Sequence, residues 1–537
     1  MRKTLAIALS LLMVVSLFCI GVSAASGTAV KTAEEFAGMK ADGTYYLDAD
    51  ITVSVTYAEK FTGTLDGNGH TVTVSVPMFN EFSGMLKNLT IQGEVNVTGA
   101  EDNALYYAGA VAKSVPAGGS FWFENITNNA NVSGESIRVG GLVGDVGIYT
   151  TLAVLIKCVN NGKITCKNET GDNMYGGLIG YMAGPTMTVN GCVNNGEISG
   201  TKGIAGGLFG TIGMPSDSFS EAKKIDFFNC LNTGKVTGSS YVGGLLGYSR
   251  GQLINMTNCT NKGEVLSTDS CAGGIAGRGG LKSYLTTYNF TKCINEGKIT
   301  CEGGTVDETT LMPTSGTNCA GGIVGYVYGS GTTGLINIDT CINKGEITCK
   351  SFASQFIGYC NNKLCTIKNS FGGGLLNAGA KVIMGVSSVS PANVVGTENN
   401  KLGGLDNTEY FAYATADSNS ANRVKLEDYL AIEGINNTAF TRTTTDPSEA
   451  GVGYAENATL PEVVTTAKPE TTKKPETTKK PVTTKAPDTT AAPADTVAPD
   501  TTTEAAEEKK GCGSVAAIGV AVIVTVLGAA VIRKKEN

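Results

Sequence analysis

Along the middle of the chain, apolar residues fall at fixed offsets within short extended segments that glycine and asparagine separate. Six times between residues 158 and 345 the sequence spells Cys-x-Asn-x-Gly, beginning at Cys158, Cys192, Cys230, Cys259, Cys293 and Cys341. Each copy is tied to a Gly-Gly-[Leu/Ile]-x-Gly element beginning at Gly140, Gly176, Gly206, Gly243, Gly273 and Gly321. The residue two places after the pentapeptide glycine is always aliphatic: Ile164, Ile198, Val236, Val265, Ile299 and Ile347. The residue directly after that glycine is charged and alternates in sign: Lys163, Glu197, Lys235, Glu264, Lys298 and Glu346. Each extended piece is too short to stand alone as a sheet. The pattern therefore predicts that one repeat forms one coil and that like segments pair in parallel about 4.8 Å apart. The aliphatic column would then lie inside, and each outer charge would meet an opposite one above and below.

Outside the repeats the pattern changes. Thr32-Ala33-Glu34-Glu35 is a capping box, with Thr32 accepting from the Glu35 N–H and the Glu35 carboxylate reaching back to the N–H of Thr32. It predicts a short helix to about Met39. Tyr45 to Val55 reads as one strand, and Asp66-Gly67-Asn68-Gly69 as a tight turn between extended segments. Residues 378–460 carry no clean motif, with a short helix expected over Val424 to Ile432, and are expected to close the stack or to form a small module.

Three features shared by all the repeats carry the candidate chemistry. The asparagines Asn160, Asn194, Asn232, Asn261, Asn295 and Asn343 form a column. They read as turn residues that tolerate left-handed backbone and ladder their amides from coil to coil, or as an exposed amide row for a sugar. The closing glycines Gly144, Gly180, Gly210, Gly247, Gly277 and Gly325 read as structural. The six repeat cysteines belong to a chain with 15 cysteines. The degenerate first copy, from Ile126 to Val132, puts isoleucine at the cysteine position, which points to a small apolar role rather than a ligand. A thiol ladder is expected. Cys271 with Cys319, Cys301 with Cys349 and Cys360 with Cys365 are the pairs singled out as exceptions that could bridge. Two close cysteine pairs of the zinc-binding kind are absent from the sequence, so no metal and no cofactor are expected.

Composition narrows the function classes. A net charge of −7 implies no basic surface for nucleic acid. With one histidine, His70, and one tryptophan, Trp122, histidine-based metal or triad chemistry is hard to build. Both ends read as addresses. Arg2 and Lys3 precede an apolar run from Leu5 to Val22 and a small-residue site, so residues 1–24 are expected to be a signal peptide. Phe18 is too bulky to precede a lipidated Cys19. From Ser514 to Ile532 the chain is apolar and uncharged, enough for roughly 28 Å of helix, and Arg533-Lys534-Lys535 follows. Residues 511–537 are thus expected to anchor the protein in the cytoplasmic membrane, with its bulk outside. Residues 461–510, rich in Thr, Pro, Lys and Glu, are expected to be a disordered stalk of up to ~150 Å.

The glycine elements resemble the GLUG motif, with Gly-Leu-Val-Gly at 141–144, Gly-Leu-Ile-Gly at 177–180, Gly-Leu-Phe-Gly at 207–210 and Gly-Leu-Leu-Gly at 244–247. Ile275 and Ile323 replace the leucine in two copies. The resemblance, which covers roughly residues 60–375 with the degenerate copies, implies a bacterial surface protein, such as an adhesin, built on a right-handed parallel β-helix of the pectin-lyase type; with its N-terminal cap this domain is expected over residues 25–377. It supplies no catalytic residues. The tail resembles surface anchors of clostridial Gram-positive bacteria, but Leu460-Pro461-Glu462-Val463 departs from the sortase signal. The expectation is a monomeric, non-enzymatic surface protein that binds or displays, with glycan among its possible ligands. The alternatives are a polysaccharide lyase or glycoside hydrolase, for which Asp48, Asp50 and Asp66 are the candidate carboxylates, and a passive surface-layer spacer.

Overall fold

In the computed structural model, residues 26–402 are described, apart from short breaks of which 214–223 and 382–393 are the longest. They belong to the first of two units of the chain, Met1–Val463; the second, Val464–Asn537, lies outside them. The signal segment, the stalk, the apolar C-terminal run and the helix expected over 424–432 all lie outside the described residues.

One turn of chain shows how the fold is made. Residues 152–183 lay down five short strands, Leu152–Ile156, Val159–Asn160, Ile164–Cys166, Met174–Gly176 and Ile179–Ala183. The next repeat lays down Thr186–Asn190, Val193–Asn194, Ile198–Gly200, Ile204–Gly206 and Phe209–Gly213 directly against them, all parallel. Repetition of this step gives an all-β solenoid. Among the described residues its strands form parallel sheets of 37 and 10 strands, with a two-stranded antiparallel ribbon, Thr305–Val306 with Pro313–Ser315, inserted in one coil. Parallel pairing continues past residue 377, through Val394–Glu398 and Lys401–Leu402.

The aliphatic column runs straight up the interior. Ile164 pairs with Ile198, Ile198 with Val236, Val236 with Val265, Val265 with Ile299, and Ile299 with Ile347. All six are fully buried. Val95 and Val132 extend the column below and Leu376 above. Burying each such side chain contributes about 1.5–3 kcal/mol, which is why one repeat position never admits a polar residue. Outside, Lys163 meets Glu197 at 3.1 Å, Lys235 meets Glu264 at 3.1 Å and Lys298 meets Glu346 at 3.4 Å. These pairs are exposed, worth about 0–1 kcal/mol each, and serve register more than stability.

Each coil has a sharp corner just before its cysteine. Leu155 and Cys158 lie three residues apart, yet both point inward. Strand alternation would send one of them out, so a residue between them must break the pleat. Lys157 does so with φ 51°, and the equivalent Asn88, Asn125, Gly191, Asn229, Asn258, Lys292, Thr340 and Asn369 share the left-handed conformation. Asparagine takes five of these nine positions because its short polar side chain tolerates that conformation, and glycine takes one because it has no Cβ to clash.

At the N-terminal end a short helix, α1 (Ala33–Ala37), covers the stack through Phe36. Phe36, Phe61, Phe79, Phe82 and Phe123 follow one another up the core with ring centroids 5.1–5.4 Å apart along the Phe36–Phe79, Phe61–Phe79, Phe79–Phe82 and Phe82–Phe123 contacts. Thr32 caps α1 as expected, accepting from the Glu35 N–H at 3.2 Å. The Glu35 carboxylate, however, takes the N–H of Lys31 at 2.6 Å rather than that of Thr32. The Tyr45–Val55 stretch is two strands, Thr44–Leu47 and Ile51–Val53, because the chain turns a coil corner at Asp48-Ala49-Asp50. The 66–69 turn is present, with Asn68 at φ 52° and Gly69 at φ 81°.

Candidate binding surface

The repeat asparagines face inward, which excludes them as an exposed amide row for sugar. Asn128, Asn160, Asn194, Asn232, Asn261, Asn295 and Asn343 are all fully buried. Each Nδ2 donates to the Oδ1 of the asparagine one coil on, at 2.8 Å for every step from Asn128 to Asn343. Its second proton goes to the carbonyl of the residue two places on, as from Asn160 to Gly162 at 2.9 Å. The row ends on Gln355, which accepts from Asn343 at 2.6 Å and donates to Gly374 O at 2.6 Å. Nor do these asparagines carry the left-handed turns; those fall on the residue before each cysteine.

This ladder explains why the two motifs travel together. A Cβ placed on Gly177 would stand 2.1 Å from Gly207 O and 2.6 Å from Asn194 Oδ1. Gly141, Gly207, Gly244, Gly274 and Gly322 stand in the same relation to Asn160, Asn232, Asn261, Asn295 and Asn343. The second glycine of each glycine element thus supplies the space that the asparagine fills. The closing glycines are crowded too: a Cβ on Gly180 would lie 2.7 Å from Gly144 O, and Gly144, Gly210, Gly247, Gly277 and Gly325 meet backbone or side-chain atoms at 2.5–2.8 Å.

The six repeat cysteines line the core as thiols. Each Sγ is turned to backbone carbonyls, as Cys158 is to Phe123 O and Ile156 O, both at 3.6 Å. Burial pushes the thiols of Cys192, Cys230 and Cys293 well above the ordinary value. Cys166, on an adjoining inward column, is raised to about 11 by the same cause. Cys271, Cys319, Cys301 and Cys349 are thiols as well. The side chains of Cys360 and Cys365 lie outside the described set. Among the described residues no group of three or more His, Cys, Asp or Glu is placed to hold a metal ion.

The candidate carboxylates are drawn to separate partners. Asp48 pairs with Lys31 at 3.1 Å, Asp50 contacts His70 Nδ1 at 3.1 Å, and Asp66 pairs with Lys87 at 3.1 Å. Burial alone would raise the Asp66 pKa, but the Asn68 N–H, the Asn88 amide and Lys87 together hold it below the usual carboxylate range. The Thr71 N–H and then His70 lower that of Asp50.

The surface that combines aromatic and charged groups is a column the motifs do not include. It is formed by the residue directly after each closing glycine, beside the glycine corner; Asp145, Thr211 and Tyr326 in it are buried and the rest are partly exposed. Asp145 pairs with Tyr181, Tyr181 with Thr211, Thr211 with Tyr248, Tyr248 with Arg278, Arg278 with Tyr326 and Tyr326 with Tyr359. Across the corner lies a second outer column, in which Tyr241 pairs with Cys271 and Cys271 with Cys319. The Arg278 guanidinium lies 4.4, 5.0 and 5.2 Å from the ring centres of Tyr241, Tyr248 and Tyr326 and donates to the Tyr241 hydroxyl. Lower in the stack, Arg138 lies 4.4 Å from the Tyr181 ring and 4.8 Å from that of Tyr107 and pairs with Asp145. Tyr181, Tyr241, Tyr248, Arg278 and Tyr359 remain partly exposed. Burial raises the Tyr241 and Tyr326 pKa values and Arg278 opposes it, so both phenols stay protonated donors at neutral pH. The corner therefore presents partly exposed tyrosine rings packed against guanidinium groups, with phenol and guanidinium donors at its surface. The sequence signal was available as the first residue beyond each glycine element, but its variability concealed it.

No family model matches the chain. Halomucin of Haloquadratum walsbyi is 33% identical over 113 residues, 19% of this chain, and the match spans only 1% of the length of that protein. A solved Bacteroides ovatus protein, provisionally described as an immunoglobulin A1 protease, superposes over 70% of this chain and 85% of its own at 17% identity, with a TM-score of 0.30.

Proposed function

We propose that this is a non-enzymatic surface protein whose stacked coils carry the tyrosine and arginine corner as a glycan-binding face. The observation behind this reading is that the partly exposed Tyr181, Tyr248, Arg278 and Tyr359 share one column in register, with the buried Thr211 and Tyr326 between them. Ring faces repeated along a rigid column suit a polymer whose sugar rings also repeat, because each ring can stack on an aromatic face while its hydroxyls meet phenol and guanidinium groups. The sequence ends support the address: a signal peptide over 1–24, a stalk over 461–510 and an anchor over 511–537 would hold the solenoid outside the membrane.

The test is a glycan and whole-cell binding array with the 25–460 segment. Binding should fall about 2- to 10-fold, the loss of one stacking contact, in Tyr248→Ala and in Tyr359→Ala, with the circular dichroism unchanged. Binding that ignores both substitutions would remove the corner from the account. New reducing ends or unsaturated products, with or without calcium, would overturn the non-enzymatic reading. Absence of any binding would leave a spacer.

A further inference from the structure

We propose that Cys271 and Cys319 form a redox-active pair that closes into a disulfide, stapling the longest coil of the array to the coil beneath it. The two residues sit directly opposite each other on the parallel strands Cys271–Gly273 and Cys319–Gly321. Both are fully buried, and their sulfurs are 3.0 Å apart, inside van der Waals contact. Neighbouring parallel strands set opposed Cα atoms at about 4.8 Å, within the span a disulfide bridges.

The contrast with the other thiols makes the pair specific. In the core column Cys230 Sγ turns to Phe228 O at 3.2 Å and Val189 O at 3.6 Å, and Cys259 Sγ turns to Thr257 O at 3.5 Å and Phe227 O at 3.7 Å. Cys301 and Cys349 both turn to Asn318 Oδ1, at 3.3 and 2.9 Å. Cys319 Sγ also reaches a carbonyl, Gly325 O at 3.2 Å, but its nearer contact is the Cys271 sulfur at 3.0 Å. Cys271 and Cys319 also lie on an outer column beside the glycine corner, clustered with Tyr326 and packed by the partly exposed Tyr241 and Tyr359, not in the main core. A reagent reaches them by displacement of a tyrosine ring, whereas the column thiols open only with the core.

The location has a structural consequence. The repeat that begins at Cys293 is followed by the next at Cys341, a spacing of 48 residues against 29–38 elsewhere, and it contains the inserted antiparallel ribbon. A longer excursion has a larger closure entropy, so a cross-link at its return point stabilises more than it would elsewhere in the array. This holds whatever the corner binds.

The co-reactant is a low-molecular-weight disulfide. The thiolate of one cysteine attacks it, forming a mixed disulfide and releasing one thiol. The second cysteine thiolate then displaces the remaining reagent thiol, so the protein loses two protons and two electrons and the reagent becomes two thiols. Burial holds the Cys319 thiol well above its ordinary pKa, so closure should accelerate as pH rises from 7 toward 9.

The experiment treats the folded full-length protein with oxidised glutathione, alkylates the remaining thiols and maps peptides by non-reducing mass spectrometry. The expected product is one peptide pair linking Cys271 to Cys319, lighter by two hydrogens, while Cys158, Cys192, Cys230, Cys259, Cys293 and Cys341 are alkylated only after denaturation. Cys271→Ser should leave Cys319 as a glutathione adduct, and the urea midpoint should rise on oxidation in the wild type but not in that variant. If serine prevents folding, the wild-type peptide map still decides. Cys271 and Cys319 both recovered as thiols after oxidation at pH 9, or cross-links distributed equally over Cys230–Cys259 and Cys301–Cys349, would overturn the proposal.

Discussion

Replacement of Asn232 by alanine tests the central internal element of the fold. Asn232 Nδ2 donates to Asn261 Oδ1 and Gly234 O, both at 2.8 Å, and its Oδ1 accepts from Asn194 Nδ2 at 2.8 Å. Truncation removes all three bonds and strands the Asn261 Oδ1, the Gly234 carbonyl and one Asn194 proton in surroundings closed to water. A stranded buried polar group costs about 1–3 kcal/mol, so three at the lower end of that range destabilise by about 3–4 kcal/mol. Asn161 is the matched control. Its amide also stacks, on Asn129 Oδ1 at 2.8 Å, but on the exposed face, where water replaces the lost partner, and Asn161→Ala should cost under about 0.5 kcal/mol. In a stacked array the damage stays near the altered coil. Native-state hydrogen exchange should therefore show amides of strands 231–232 and 260–261 exchanging roughly 10²–10³-fold faster in Asn232→Ala and unchanged in Asn161→Ala. Equal effects of the two substitutions would refute the claim that the buried ladder holds the coils in register.

Three further outcomes follow from the same geometry. Gly177→Ala forces a methyl to 2.1 Å from Gly207 O, so the coils must part there; a loss of about 3 kcal/mol by urea denaturation is expected, and a neutral result would contradict the packing. Lys292→Asn, at φ 54°, should stabilise by about 0.5–1 kcal/mol because asparagine accepts that conformation with less strain, and the change in urea midpoint measures it. Burial alone would raise the Glu296 pKa, but Lys344 at 3.0 Å and Lys262 at 3.2 Å hold it below the usual value. Its contribution is then present above the unfolded value of about 4.3 and disappears as pH falls through the lower folded value, so Glu296→Gln should weaken the protein slightly at pH 7 and not at the acid end of that window.

Legibility in the sequence followed the kind of position. Aliphatic residues at one offset and charges at the next specified the stacking, because only coil-on-coil pairing places every Ile164 equivalent inside and brings Lys163 to Glu197. The Asn column was legible as a column but not as to its side. An asparagine serves equally in a turn, an exposed row or a buried ladder, and the choice depends on whether a partner amide and a glycine gap face it. The Tyr181–Tyr359 column was not legible, because an outer position tolerates Asp145, Thr211 and Arg278 among its tyrosines and so leaves no periodic signal. Tyr45 to Val55 reads as one strand in sequence but forms two, because the corner between Leu47 and Ile51 arises from the coil, not from any local turn motif.

The sequence by itself determined the repeat, its register and the apolar identity of the interior, since period and burial preference are properties of the chain read in one dimension. Only the tertiary structure decided which way the asparagines face, which residue takes each left-handed corner, and that the Cys271 and Cys319 sulfurs meet at 3.0 Å outside the main core. Those outcomes depend on the closing of the coil, where three-residue steps across a corner override the two-residue alternation of a strand and bring together side chains some 30 to 50 residues apart.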